Sequence, residues 1–292
     1  MRSELYAKGV HVDVIMPTWN SNAWYFPMVV KSVIDVLNPH HFIVVDRFSS
    51  DGTQEILKRY ANKVLRILEL DTDLAIARRV GGLIADTAIV CYIDDDDVII
   101  PLHFKTAISS LIELLAKSNR VGVVAFTPCS KEFVTSSVHV KVSRIVKPLL
   151  HLSPVQILRR GIHVYSRGFT FFFCIKRKLI ETWNPPPDLS AYEDYHLSQH
   201  VVNNGYLWVE FSHLCVIHMK DYRFKGLYRY LKQGLWEGAN ALRVGIPSSY
   251  IALHVLGRLM GSLYKRNINQ LITYMGYLIG LIMSKRFKTW IR

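Results

Sequence analysis

The chain is short of several things at once, and each shortage removes a class of protein. Its 292 residues include 4 cysteines, and Cys91, Cys129, Cys174 and Cys215 sit far apart with no Cys-x-x-Cys pair. Such spacing predicts neither a zinc site nor a disulfide framework, and it suits a reducing cytosol. Acid is scarce: 23 Asp and Glu stand against 36 Lys and Arg, a formal net charge of +13. That excess implies an anionic partner, whether a phosphorylated substrate, a membrane surface or nucleic acid. The N-terminus has no apolar run of signal-peptide character, being broken by Arg2, Glu4 and Lys8. Secretion is therefore not expected, and the active domain should face the cytoplasm.

Long apolar runs are missing too. The most apolar stretch near the C-terminus, Ile268–Met283, reaches roughly 24 Å as a helix, against the roughly 30 Å of a bilayer's hydrocarbon, and Asn269, Gln270 and Thr273 dilute it. A spanning helix is disfavoured. The flank that follows, Lys285-Arg286-Phe287-Lys288-Thr289-Trp290-Ile291-Arg292, mixes cations with interfacial aromatics. Together with the apolar stretch Tyr250–Tyr264 it predicts peripheral attachment to an anionic membrane surface on the cytoplasmic face. Helices packed on the domain, or on a second copy, would account for the same composition.

Apolar content is ample for a core at 50%, and its arrangement is regular. Val12–Met16, Phe42–Val45, Val64–Leu68, Ala88–Ile93 and Val121–Phe126 have the length and β-branched richness of buried strands. Helical stretches Tyr25–Leu37, Thr53–Ala61, Leu74–Ala85 and Leu102–Lys117 alternate with them. Repeated βα units predict an α/β fold with a mostly parallel sheet covered on both faces. A basic excursion follows from Ser130 to Gly168, with Lys131, Lys141, Arg144, Lys147, Arg159, Arg160 and Arg167 against Glu132. Beyond it come a strand at Phe169–Ile175, a helix opened by Tyr192-Glu193-Asp194-Tyr195, and a last strand at Leu207–Phe211. The composition turns aromatic, basic and apolar after Gly226, so residues 1–226 are expected to form the α/β domain and 227–292 a helical extension.

The most informative feature is Asp94-Asp95-Asp96-Asp97, closing the fourth candidate strand. Adjacent carboxylates at a strand's end repel and raise one another's pKa, a cost that a cation removes. A cap on the next helix, before Pro101, explains one or two acids and not four. Ligands of open α/β sheets bind beyond the carboxyl ends of strands, so the quartet marks a candidate divalent-metal site in a substrate crevice.

These motifs, taken in order, resemble a family 2 glycosyltransferase of the GT-A fold from about Val12 to about Tyr230. Val14-Ile15-Met16-Pro17-Thr18-Trp19-Asn20 resembles the family's opening strand and loop, and Val44-Val45-Asp46-Arg47 through Thr53 its second. Ala77-Arg78-Arg79 resembles the helix motif before the metal strand, Tyr92–Asp97 the DxD segment, and Glu193-Asp194 the acidic pair. The resemblance implies that Pro17, Thr18, Asn20, Asp46, Arg47, Arg78, Arg79, Asp94 and Asp95 bind the nucleotide sugar, with Asp46 against the nucleobase. Asp94 and Asp96, with His218 as a late ligand, would hold Mn2+ or Mg2+, the hard cations that oxygen ligands suit. A lone His after a strand is equally read as structural. Arg47 and Arg79 depart from the family pattern, where an acid and an Asn are usual, which leaves the donor base open.

Direct attack by an acceptor hydroxyl needs a general base and inverts the anomeric centre. Asp194 is the candidate base, with Glu193 beside it. Both acids would also serve as ordinary caps of the following helix. The opening motif and the tail resemble polyprenyl-phosphate mannosyltransferases, which points to GDP-mannose first and a UDP-hexose second. The acceptor implied is a membrane-associated lipid or lipid-linked glycan, and no nucleic acid is expected. A sugar-phosphate nucleotidyltransferase shares the sheet and the carboxylates, but its usual Gly- and Lys-bearing first loop is absent from Pro17-Thr18-Trp19-Asn20-Ser21-Asn22. A non-enzymatic basic module for membrane or nucleic acid leaves the quartet unexplained.

Overall fold

The computed structural model describes residues 11–63, 65–100, 104, 108–129, 162–165, 170–187, 189, 191–219, 227–241, 243–244, 246 and 248–283. Val64, Pro101, Lys220, the charged residues named at 131–160, Arg167 and the basic tail from Lys285 lie outside them. The chain divides into two compact units. The first is Met1–Asn184 with Leu197–Lys220, and the second is Pro185–His196 with Asp221–Arg292. The segment that carries Glu193 and Asp194 packs with the second unit.

The first unit is an α/β sheet. Strands β1 (Val12–Thr18), β2 (Phe42–Asp46), β3 (Leu65–Glu69), β4 (Ile89–Ile93), β5 (Asp97–Ile99), β6 (Val121–Cys129), β7 (Ile162–Tyr165), β8 (Phe172–Lys176) and β9 (Leu207–His218) are all hydrogen-bonded into it. Their order is β3-β2-β1-β4-β8-β6-β9-β5, with β7 on β9. The half that carries the opening motifs, β3-β2-β1-β4, is parallel, while β4–β8 and β8–β6 are antiparallel.

Burial on both faces explains why these strands read as continuous apolar runs. Val14, Met16, Val44 and Cys91 point into one layer, packed by Val29, Val30 and Val33 of the first helical segment and by Leu111 and Leu115 of α4 (Ile108–Lys117). That first segment is α1 (Phe26–Ser32), continued by a π-helical turn over Val33–Leu37. The opposite layer, with Ile15 and Val45, faces α3 (Leu74–Ile84), which follows α2 (Thr53–Lys58) and β3. Gly81 and Gly82 set the approach of α3. A Cβ on Gly81 would run into Ile15, and one on Gly82 into the Tyr92 hydroxyl and Ile180 of α5 (Arg177–Thr182). Glycine lets the helix sit against the sheet at this depth.

Several elements differ from the sequence expectation. β9 runs on to His218 rather than stopping at Phe211, and β5, too short to show as an apolar run, pairs with its end through Asp97↔His218. β7 lies inside the segment read as a rim excursion. The expectation of no disulfide is overturned: Cys91 and Cys174 are bonded. The antiparallel register of β4 and β8 sets these two residues directly opposite each other, a relation that their separation of 83 residues conceals.

The second unit holds the start of α6 (Glu193–Asn203) and three helices, α7 (Leu227–Ala241), α8 (Ser248–Tyr264) and α9 (Ile268–Met283). α7 was not expected, because its glycines and aromatics mask the helical period. Those glycines have a use. Gly234 and Gly238 of α7 meet the backbone of α9, Gly276 and Gly280 of α9 meet the backbone of α7, and a Cβ at any of the four would strike a main-chain atom. Small residues at matched spacing allow two helices to pack this closely. Arg243 donates to the Pro187 carbonyl (2.7 Å) and Tyr192 Oη lies 3.1 Å from Tyr277 Oη, tying the 185–196 segment to this unit. Among the described residues no helix is long and apolar enough to cross a membrane.

Candidate functional site

The carboxyl ends of β1, β2 and β4 lie side by side in the first unit, and the motif residues cluster there. Directly after β4 the chain turns sharply, with the Asp97 amide donating to the Asp94 carbonyl (3.2 Å), and re-enters the sheet as β5. Met219 N donates to the Asp96 carbonyl (2.8 Å), so the end of β9 braces the turn. The four aspartates therefore do not act alike.

Asp94 belongs to Arg78. The guanidinium, buried at 1% exposure, places Nη2 2.7 Å from Asp94 Oδ1 and also donates to the Thr170 carbonyl at 3.3 Å. Burial pushes Asp94 well above the usual carboxylate range, Arg78 opposes that, and Asp97, Asp96 and Asp95 add to it. Asp95 accepts a hydrogen bond from the Ser21 hydroxyl.

Asp96 and Asp97 are buried at 3% and 0% exposure and turn toward His218. His218 Nδ1 is 2.8 Å from Asp97 Oδ1 and 3.5 Å from Asp96 Oδ1, and one ligating atom from each of the three lies within 4.8 Å of the others. Burial raises the Asp97 carboxyl while His218 pulls it down. Burial alone would lower His218, but its bond to Asp97 and the charges of Asp96, Asp97 and Asp94 raise it. Asp97 Oδ2 is buried with no hydrogen-bond partner among the described residues. Such crowding of buried acids fits a bound cation. From the sequence, Asp94, Asp96 and His218 are the nominated ligands; in the structure Asp94 pairs with Arg78, and Asp97, a member of the quartet not singled out as a ligand, stands beside His218 through the β5–β9 pairing.

On the β1–β2 side the nominated residues form a built loop pair. The Asp46 carboxylate is fully buried and accepts from Thr18 Oγ1 (2.8 Å), Ser49 Oγ (2.6 Å), Ser49 N (2.9 Å) and Gln54 Nε2 (3.2 Å). Asn20, at φ 49°, links the loops by accepting from Ser50 N (3.0 Å) while its own amide donates to Ser49 Oγ (2.8 Å). Pro17 is buried within β1 beside Val45. Arg47 lies over the ring of the exposed Trp19, 5.0 Å from its centroid, and pairs with Asp71 at 3.2 Å. Trp19 was not singled out from the sequence, where a lone aromatic in a loop carries no signal. Arg79 turns away from its neighbour Arg78 and donates to the Trp183 carbonyl (2.6 Å).

Residues 13–180 match the model of glycosyl transferase family 2. The chain belongs to that family. A stretch of 91 residues is 37% identical to TuaG of Bacillus subtilis (strain 168), named as a glycosyltransferase of teichuronic acid biosynthesis; the stretch spans 30% of this chain and 36% of that protein. Among solved structures, S. aureus TarS 1-349 in complex with UDP-GlcNAc shares 16% identity at a TM-score of 0.54, over 94% of this chain and 81% of that one. The mannosyltransferase PcManGT of Pyrobaculum calidifontis, in complex with GDP-Man and Mn2+, shares 19% at a TM-score of 0.54, over 94% of this chain and 75% of that one. At these identities the likeness is one of fold, the GT-A arrangement of a mixed sheet with helices on both faces.

Glu193 and Asp194 open α6 in the second unit, where Asp194 Oδ1 accepts from the neighbouring Tyr195 amide (2.7 Å). Tyr192 before them has φ 66°, which sets the chain's entry into the helix.

Proposed function

We propose that this protein is an inverting glycosyltransferase that moves a hexose from a nucleotide diphosphate sugar to a lipid or lipid-linked glycan at a membrane surface. The observation that carries the reading is the convergence of Asp96, Asp97 and His218 beside the Arg78–Asp94 pair, at the strand ends of a family 2 sheet. The donor set of two carboxylates and one imidazole accommodates Mn2+ or Mg2+. A bound ion of this kind stabilises the charge that develops on a diphosphate leaving group. Solved family-fold relatives with Mn2+ or Mg2+ and a nucleotide bound support the same assignment.

The remaining roles belong to side chains. Trp19, with Arg47 over one face of its ring, offers the opposite face for a nucleobase to stack on, and Asp46 with Thr18 and Asn20 supplies the rigid loop that aims it. GDP-mannose is the favoured donor and a UDP-hexose the second, in line with the GDP-Man and UDP-GlcNAc held by PcManGT and TarS. Asp194 is assigned as the base that takes the acceptor hydroxyl's proton, with Glu193 orienting it, from the family likeness of that pair.

Membrane attachment rests on the second unit. α8 and α9 expose Leu253, Leu256, Met260, Leu263, Ile268, Met275 and Ile282, with Tyr264 at 90% exposure beside Lys265 and Arg266. An apolar stripe edged by an aromatic and cations suits a helix lying in the headgroup region. The experiment is a screen of GDP- and UDP-sugars for hydrolysis and transfer with and without Mn2+. Turnover of one donor that needs the metal is the expected result; no turnover or binding with any nucleotide sugar would overturn the proposal.

A further inference from the structure

At the opposite end of the parallel strands lies a second cluster of ligating side chains, unrelated to the donor crevice. His11 immediately precedes β1, His40 and His41 precede β2, and Asp86 sits in the connection from α3 to β4. Because β2, β1 and β4 are adjacent and parallel, their starts are neighbours. His40 N donates to the Val12 carbonyl (2.8 Å) and Val14 N to the His41 carbonyl (2.9 Å). One ligating atom from each of His40, His41 and Asp86 lies within 4.8 Å of the others. The rings of His40 and His41 are 4.2 Å apart, and His11 stands 5.6 Å from His40.

The tautomer of His41 is fixed by its partners. Arg66 Nη2 is 2.9 Å from His41 Nε2, and a guanidinium can only donate, so Nε2 presents its lone pair. The proton is then on Nδ1, which faces Asp13 Oδ1 at 3.2 Å and Asp86 Oδ2 at 3.4 Å, so the exposed Asp86 carboxylate has to swing toward Nε2 to share an ion with it. Asp13 is fully buried and otherwise locked in place: Oδ1 also accepts from His41 N (2.9 Å), and Oδ2 from Asp86 N (2.6 Å) and Thr87 N (3.1 Å). A carboxylate that holds one imidazole nitrogen while the other faces a cation is the outer-shell arrangement of histidine metal sites. The same Arg66 nitrogen lies 3.3 Å from Asp86 Oδ2. A cation thus already bridges the imidazole and the carboxylate.

We propose that His40, His41 and Asp86 bind a transition-metal ion of the zinc class, with Asp13 as positioning residue for His41, and that Arg66 holds the cation position which such an ion takes over. Two imidazoles and a carboxylate with solvent in the fourth place suit zinc, nickel or copper rather than magnesium. Displacing Arg66 is cheap, since its pair with Asp86 is about half exposed on both sides (48% and 56%), and exposed pairs contribute little. The ion would staple the starts of the three parallel strands together.

The test is equilibrium dialysis of the full chain against Zn2+, carried out in an Asp96→Ala background so that the acidic crevice does not contribute. One zinc per chain is expected, with affinity lowered about tenfold or more by Asp86→Asn and by His40→Gln. Both residues are exposed, so the variants should fold, which circular dichroism checks. Arg66→Gln is expected to tighten binding by removing the competing cation. Zinc affinity unchanged in Asp86→Asn and His40→Gln, or no zinc retained at all, would overturn the site; weaker binding in Arg66→Gln would overturn the role of Arg66.

Discussion

Arg78 Nη2 stands 2.7 Å from Asp94 Oδ1, and this contact joins helix α3 to the acidic turn after β4. The guanidinium is buried, so it cannot find water if its partner is removed, and the carboxylate is surrounded by further acids. Removing one member of a buried pair leaves the other uncompensated. Arg78→Ala is therefore expected to lower stability by about 3 kcal/mol in urea denaturation, with Arg79→Ala, whose partner is only a carbonyl, costing clearly less. Equal losses for the two would show that the ion pair is not what matters at this position.

Acid and base act in a defined direction on the cluster. Asp94 and Asp97 titrate above 3.8, the value of a free carboxyl, so the stability they contribute is full below that value and declines as pH rises through their folded values. His218 titrates above 6.5, so its contribution is present below 6.5 and lost as pH climbs through its folded value. Both effects have the same sign. In chelator, Tm should fall as pH rises above 3.8 and on past 6.5, Asp97→Asn should flatten the fall, and Mn2+ at neutral pH should restore the loss. A Tm profile indifferent to Asp97→Asn would refute this.

Asp194→Asn keeps the size of the side chain and removes its basicity. Transfer is expected to drop by about 10²-fold or more while the dissociation constant for donor stays within about twofold. A fall in donor affinity that matches the fall in rate would assign Asp194 to binding instead.

The exposed stripe of α8 and α9 makes a separate prediction. Wild-type chain should float with vesicles rich in phosphatidylglycerol, and a Leu256→Glu, Leu263→Glu double variant should remain at the bottom of the gradient with its fold intact, since both side chains are exposed. Equal flotation of the two would remove these helices from the membrane account.

How much of this was legible beforehand follows from what each element demands of its residues. Strands buried on both faces must be apolar throughout, so β1, β2 and β4 announced themselves, as did the polar loop residues at their ends. The pairing of Asp97 with His218 did not, because β5 spans only Asp97–Ile99 and its partner, the end of β9, lies more than a hundred residues on. Cys91–Cys174 and the His40–His41–Asp86 cluster were hidden for the same reason: register across strands is a tertiary fact. Asp46 was found by motif, but its burial beneath four hydrogen bonds makes it a pillar of the β1–β2 loops as well as a candidate base contact. Replacing it with Ala should cost about 2 kcal/mol, read in the same urea titration, by stranding the donors it serves.

Calorimetric titration of GDP and UDP into the chain with and without Mn2+, repeated in Asp96→Ala, tests the acidic cluster most directly. Binding of one nucleotide that requires Mn2+ and disappears in the variant is the predicted result. Nucleotide binding equally strong without metal, or unchanged in Asp96→Ala, would contradict it.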